Sequence, residues 1–115
     1  METKSPLEAQ IRLTIVTADS PEHGVFGKGG AVLLRGVQRC GSLNKAAKEL
    51  GMAYSKAWTL MRDTEEMFGI KLINRDGARG STLTEDGAKL LAVYDQLQKE
   101  VAAYAQERLA QLLND

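Results

Sequence analysis

The sequence predicts a mainly helical fold with a small amount of β-structure, and three observations lead to this expectation. Apolar residues recur at steps of three and four along several segments of the 115-residue chain, and glycines follow these segments. Two short strand-like runs flank a glycine-containing loop between residues 70 and 83. After Thr84 a run of about 30 residues contains no proline, so we expect one long C-terminal helix.

The N-terminal segment is predicted to form a β-hairpin. Between residues 9 and 17 the side chains alternate, with Ile11, Leu13 and Ile15 on one face, which is the period of a strand. Residues 19–24 have the composition of a turn, and the two residues that follow could return as a short second strand.

Three helices are expected in the middle of the chain. The first covers about residues 29–40, because its apolar positions fall at helical spacing and Gly41 follows as a C-terminal glycine. Ser42 is a suitable N-cap for a short second helix that ends at Gly51. The third helix follows at once, over about residues 53–68.

A small hairpin and a long helix are expected to complete the chain. Residues 70–75 and 81–83 are the strand-like runs around the glycine loop, which predicts a wing. Thr84 offers an N-cap, and acidic residues follow it where the helix dipole favours them. The last helix is expected over residues 84–113; about 30 residues at about 1.5 Å each reach roughly 45 Å, so part of it should project.

The composition favours one intracellular domain without a metal or cofactor. An apolar content of 43% suffices for one modest core, so we expect residues 1–115 to form a single domain. No apolar run has the length of a membrane span and the first residues lack a signal-peptide pattern, which predicts a cytoplasmic protein without membrane contact. One cysteine and one histidine provide neither a disulfide nor a metal-ligand cluster.

The net charge is zero, but the charges are segregated along the chain. Residues 28–80 carry ten Lys and Arg against five acidic residues, whereas both flanking segments are net acidic. A basic middle between acidic ends suits a protein whose centre meets phosphate while its ends meet protein or water.

The segment from Gly41 to Trp58 carries the strongest functional signal. Small side chains at Ala46 and Ala47 would let the second helix approach the third closely, and Gly51 supplies a sharp turn between them. A helix held in this way can lie in the major groove of DNA, about 12 Å wide, with its first residues against base edges. The order of elements therefore predicts a winged helix-turn-helix that binds double-stranded DNA.

Exposed positions of this unit are the candidate DNA contacts, although each could also be ordinary solvated surface. Those on the third helix are Tyr54, Ser55, Lys56, Thr59 and Arg62. Those at the start of the second helix are Ser42, Asn44 and Lys45, where Ser42 could equally serve as a cap only. In the wing, Arg75 and Arg79 suit phosphate or minor-groove contact. Arg75 could instead pair with Glu65 or Glu66, and packing is favoured over DNA contact for Trp58.

The last helix carries an apolar stripe typical of a helix that packs against a like helix. Its members alternate at spacings of four and three, and they are Leu90, Tyr94, Leu97, Val101 and Tyr104. The stripe could merely cover the core of its own domain, but later leucines extend beyond what so small a core can bury. We therefore expect a homodimer that presents two recognition helices to a partly palindromic site.

From Gly41 to Gly87 the chain resembles the winged helix-turn-helix of LysR-type regulators, and it is most similar to ModE-type molybdate-responsive regulators. The similarity covers about residues 8–105. The matching positions are Gly51, Met52, Tyr54, Ala57, Trp58, Phe68, Gly69, Leu72, Arg75, Leu83, Thr84 and Gly87. The resemblance implies a DNA-binding domain of a transcriptional regulator.

Three departures from the ModE pattern stand out. Ala53 replaces the usual serine cap of the recognition helix, at a cost of roughly 1 kcal/mol of helix stability. The wing has only Gly77 and Gly80 where that family has a longer glycine run. The chain ends at Asp115, without the molybdate-binding module of full-length ModE-type proteins, so we do not expect direct oxyanion sensing.

Two other classes of function are weighed against a DNA-binding regulator. An enzyme is not expected, because the sequence contains no serine–base–acid set, no P-loop and no cofactor fingerprint. A winged-helix module for protein interaction is the alternative, since a net charge of zero and an acidic last helix would suit a partner protein.

Overall fold

Three helices form the centre of the computed structural model, which describes residues 1–22, 25–75 and 80–115. Helix α1 spans Lys28–Cys40, α2 spans Leu43–Glu49 and α3 spans Tyr54–Phe68. The predicted bounds of these helices agree with the observed ones to within one or two residues. The glycines and caps that mark helix ends in the sequence are therefore sufficient to locate them.

A two-stranded antiparallel sheet follows α3. Strand β1 spans Ile73–Arg75 and β2 spans Ser81–Leu83, with Ile73 opposite Leu83 in the register. The first strand begins three residues later than predicted, and just before it the amide of Leu72 donates to the carboxylate of Glu65. The loop between the strands, residues 76–79, lies outside the described residues.

Helix α4 spans Glu85–Leu113 and is 29 residues long. Its N-cap is Thr84, whose hydroxyl accepts a hydrogen bond of 2.9 Å from the amide of Gly87, as the sequence predicted. The molecule measures 58 Å along its longest axis against 22 Å along its shortest, so the C-terminal part of α4 extends beyond the other elements.

The core lies where α1 is covered by the other helices. Its largest fully buried side chains are Phe26, Leu33, Leu34, Met61 and Leu72. A Cβ atom on Gly36 of α1 would lie 2.7 Å from the Cβ atom of Ala46, so α1 and α2 approach closely at this point. The small side chain of Ala46 was expected at the contact between α2 and α3, but it lies against Gly36 of α1.

Among the described residues, the predicted N-terminal hairpin is reduced to two isolated antiparallel bridges, Ile15 with Phe26 and Thr17 with Ser20. Ile15 and Phe26 exchange two backbone hydrogen bonds of 2.8 Å, but no strand forms over residues 9–17. The segment before Ile15 lies along α4, where Gln98 accepts from the amide of Leu13 at 3.1 Å and donates to a carbonyl two residues earlier at 2.8 Å. A glutamine amide thus supplies the donor and acceptor that a neighbouring strand would have supplied.

The predicted fold class is confirmed. The described residues form a mainly helical domain with a small sheet and a long last helix, in the order of a winged helix-turn-helix. Among these described residues, no helix combines the length and apolar character required to cross a membrane.

Candidate nucleic-acid interface

A glycine turn fixes the position of α3 against α2. Gly51 has φ of 67°, in the left-handed region that favours glycine. Beside it, the amide of Met52 donates to the carbonyl of Ala47 at 2.9 Å, which closes the corner. Ala53 at the N-cap of α3 makes no side-chain hydrogen bond, as expected from the missing serine. The turn therefore presents the first residues of α3 at the surface.

Helix α3 has one face in the core and the opposite face in solvent. The core face consists of Ala57, Met61, Thr64 and Glu65. The five predicted DNA contacts of α3 all lie among the exposed residues of the helix: Tyr54, Ser55, Lys56, Thr59 and Arg62. The structure thus brings them together on a surface that a ligand can reach.

The start of α2 lies beside the wing. Ser42 accepts a hydrogen bond of 3.2 Å from the amide of Lys45, so it acts as the N-cap of α2. Asn44 and Lys45 are exposed. The amide of Ser81, the first residue of β2, donates to the carbonyl of Gly41 at 2.8 Å, which joins the wing to this helix end.

Trp58 lies between the recognition helix and the wing. Its ring is half-buried against the core. The guanidinium carbon of Arg62 lies 4.8 Å from the ring centroid, and that of Arg75 lies 5.6 Å from it. Both distances are within the roughly 6 Å at which a cation and an aromatic ring attract. Trp58 therefore packs, as the sequence favoured, but it also contacts two candidate DNA-binding arginines.

Glu65 is a buried acid that holds the wing. The residue is 6% exposed, and its Oε2 atom accepts hydrogen bonds from the amides of Leu72 at 2.8 Å and Ile73 at 3.2 Å. Its Oε1 atom lies 3.7 Å from Nη1 of Arg75. The structure shows the ion pair of Arg75 with Glu65, and the Arg75 side chain stays 32% exposed, so contact with DNA remains a prediction. Arg79 lies outside the described residues.

The pair of Arg75 with Glu65 is among the alternatives that the sequence predicts, whereas the hydrogen bonds of Glu65 to the wing are not. The available signal was its position: Glu65 follows Met61 by one helical turn, on the face that carries the core residues of α3. An acid at a core position of a helix requires hydrogen-bond partners, and here backbone amides provide them.

A second acid joins the ends of α1 and α2. Glu49 forms an ion pair with Arg39, and its Oε1 atom accepts a contact of 3.5 Å from Sγ of Cys40. The hydrogen bond from Arg39 lowers the pKa of Glu49 below its ordinary value. Because both side chains of the pair are exposed, it adds little to the stability of the domain.

The predicted dimer stripe of α4 is divided by the structure. Tyr94 is buried in the chain's own core, where its ring packs edge-on against Phe26 with centroids 5.5 Å apart, so it cannot belong to an outer seam. Leu90 also packs partly against the core. The remaining predicted members are exposed or half-buried: Leu97, Val101 and Tyr104.

Val93 joins these three residues, although the predicted spacing omitted it. Val93, Leu97 and Tyr104 are 47%, 40% and 65% exposed. Steps of three and four place them on one side of α4 together with Val101. These four residues are called the outer seam below.

Comparisons with known proteins agree with this geometry. Residues 31–88, half of the chain, match the family model for bacterial regulatory helix-turn-helix proteins of the lysR family. The transcriptional regulator CrgA of Neisseria meningitidis is 36% identical over 74 residues, which cover 64% of this chain and 24% of CrgA. The transcriptional regulator ModE of Haemophilus influenzae is 31% identical over 87 residues, covering 72% of this chain and 32% of ModE.

The chain spans a quarter to a third of the length of these curated relatives. Because they include both CrgA and ModE, they do not single out the ModE type. Among solved structures, the CbnR_DBD–DNA complex contains a similar chain, with a TM-score of 0.58 and 24% identity over 72% of this chain and 93% of that chain. This likeness shows a shared fold. The matched family model, together with the observed order of helices, glycine turn and wing, establishes that the chain belongs to the LysR family of bacterial regulatory helix-turn-helix proteins.

Proposed function

We propose that this chain binds double-stranded DNA sequence-specifically as a homodimer and regulates transcription in the cytoplasm, as a ModE-like member of its family. The observation that carries the proposal is the exposed face of α3, held outward by the turn at Gly51. A helix in this setting fits the major groove with its first residues on base edges.

The distribution of charge on α3 supports this orientation. Lys56 and Arg62 are exposed in its first nine residues, next to the hydroxyls of Ser55 and Thr59. Its exposed acids, Asp63 and Glu66, lie in the second half of the helix. The end that would enter the groove is thus the basic end, which suits a surface that meets phosphate.

The wing and the start of α2 would contact the DNA backbone on either side. Lys45 is exposed at the N-terminal end of α2, where helix amides attract anions. Phosphate contacts of this kind set the position of the protein, while α3 would distinguish base pairs. The structure of CbnR_DBD was solved with DNA, and CrgA and ModE are transcriptional regulators, which adds support from relatives.

The outer seam supports the homodimer. Val93, Leu97, Val101 and Tyr104 form a contiguous apolar stripe on the described surface of α4. Pairing of two such helices would cover these side chains. A twofold dimer of this kind would bind two half-sites of a partly palindromic sequence.

Selection of bound genomic fragments, followed by affinity measurements at several salt concentrations, tests the proposal. If roughly six phosphates are contacted, affinity should fall about 10³-fold between 50 and 200 mM salt. Enrichment of no fragment, or an affinity independent of salt, would contradict DNA binding and favour a winged-helix module that binds a protein partner.

A further inference from the structure

We propose that Trp58 is a positioning residue that links Arg62 of α3 and Arg75 of β1, so that the recognition helix and the wing present their charges to DNA as one unit. This inference rests on the proposed DNA binding and adds a residue to it. Trp58 itself need not touch DNA for this role.

The side chains of Trp58, Arg62 and Arg75 lie in contact. Arg62 lies one helical turn after Trp58, whereas Arg75 reaches the ring from another element. Their guanidinium carbons lie 4.8 and 5.6 Å from the same ring centroid. Tryptophan offers the strongest aromatic partner for a cation, and guanidinium groups stack on it readily. One ring therefore restrains two cations from two elements.

Carboxylates anchor both arginines of this group. Nη1 of Arg75 lies 3.7 Å from the buried carboxylate of Glu65, which also holds two amides at the start of the wing. Arg62 has a contact of 3.3 Å with Asp63, but both of those side chains are about half exposed. Arg75 is thus held by both the Trp58 ring and the Glu65 carboxylate. Arg62 contacts the Trp58 ring and the exposed side chain of Asp63.

Restraint of the two arginines should favour DNA binding. A free arginine loses rotamer freedom when it grips a phosphate or a base, and a preorganised arginine loses less. Loss of the ring would leave Arg62 and Arg75 independent of each other. The expected effect is weaker and less salt-dependent DNA binding, because fewer phosphates are contacted in a fixed geometry.

The test uses the whole chain and a DNA fragment obtained by selection. Trp58→Leu removes the aromatic face and keeps an apolar side chain, whereas Trp58→Phe keeps an aromatic face. We expect Trp58→Leu to raise the Kd for DNA about tenfold at 100 mM salt. The magnitude of the slope of log K against log salt concentration should fall by about one to two units, because each phosphate contact contributes about 0.9 to that slope. Trp58→Phe should stay within about threefold of wild type.

Comparison of the single and double variants distinguishes a positioning role of Trp58 from a role in packing alone. If Trp58 acts through Arg62, then Arg62→Met costs less affinity in the Trp58→Leu background than in wild type. A role in packing alone would lower the Tm and leave both the slope and the cost of Arg62→Met unchanged, which would overturn the inference. If Trp58→Leu does not fold, Trp58→Met takes its place, because methionine fills irregular space.

Different results would contradict the role of Trp58 and the proposed DNA binding. If wild type binds DNA with a steep salt dependence but Trp58→Leu keeps the same slope and affinity, the role of Trp58 is wrong and the proposed function stands. If wild type shows no salt-dependent DNA binding, the proposed function is overturned and this inference with it.

Discussion

The Oε2 atom of Glu65 accepts a hydrogen bond of 2.8 Å from the backbone amide of Leu72. Through this contact a buried acid of the recognition helix holds the first residues of the wing. The position of the wing therefore depends on a side chain of α3 as well as on the two-stranded sheet.

Replacement of Glu65 should destabilise the domain. Glu65→Ala leaves the amides of Leu72 and Ile73 without their acceptor and Arg75 without its carboxylate, so we expect a loss of about 2–3 kcal/mol in the free energy of unfolding. Urea denaturation measures this loss. The neighbouring Glu66 is exposed, and Glu66→Ala should change stability by less than about 0.5 kcal/mol. Equal effects of the two variants would show that Glu65 does not support the wing.

Loss of either basic side chain on the first turns of α3 should weaken DNA binding without unfolding the domain. Lys56→Ala and Arg62→Ala each remove an exposed cation, and each should cost about 1–3 kcal/mol of binding free energy or about one unit of salt slope. Fluorescence anisotropy with a selected fragment measures the affinity. Lys99→Ala, an exposed lysine of α4, is the matched control and should bind as wild type. Wild-type affinity in both α3 variants would mean that another surface contacts DNA.

A charge in the outer seam should produce monomers. Leu97 is 40% exposed in the chain, so Leu97→Asp should leave the fold intact while it places a carboxylate in the interface between two α4 helices. Sedimentation velocity measures the oligomeric state. Ala103 is also exposed on α4 but lies away from the seam, and Ala103→Asp should remain dimeric. A dimer that persists in Leu97→Asp would place the interface elsewhere.

The close approach of α1 and α2 should make two glycines of α1 respond differently to the same substitution. A Cβ atom at Gly36 would lie 2.7 Å from that of Ala46, so Gly36→Ala should destabilise the domain by about 1–3 kcal/mol. A Cβ atom at Gly29 would lie 3.9 Å from Cδ2 of Leu60, an ordinary contact, so Gly29→Ala should be neutral or stabilising by up to about 1 kcal/mol. Thermal unfolding of both variants measures the difference.

Restoring space on the opposite helix tests the same contact. Ala46→Gly removes the Cβ atom that Gly36→Ala would meet. The double variant should therefore be more stable than the sum of the two single effects predicts. Strict additivity would mean that α1 and α2 do not press together at this point.

Local chemistry was enough to predict the helices, the turn and the wing. Ser42 and Thr84 were expected as caps, and both accept hydrogen bonds from amides three residues later. Gly51 was expected in a sharp turn and has the left-handed backbone of such a turn. Each of these signals acts within about one turn of helix, so nothing distant in the chain is needed to interpret it.

Sequence patterns whose meaning depends on packing against a distant segment were less informative. The alternation around Leu13 predicted a strand, but alternation shows only that one face is buried, and the partner proved to be Gln98 of α4. The same limit applies to the stripe of α4, because Tyr94 and Leu97 are both apolar at helical spacing. Only the packing of Phe26 against Tyr94 shows which of the two belongs to the core.

The local order of caps, glycines and apolar periods along the chain thus specifies a winged helix-turn-helix with an outward-facing α3. The wing's attachment, the pairing of Arg75 with Glu65 and the sharing of Trp58 by two arginines arise from contacts between segments far apart in sequence. Hydrogen-bond geometry and cation–π attraction act over a few ångströms, so these relationships exist only once the folded chain has brought the partners together.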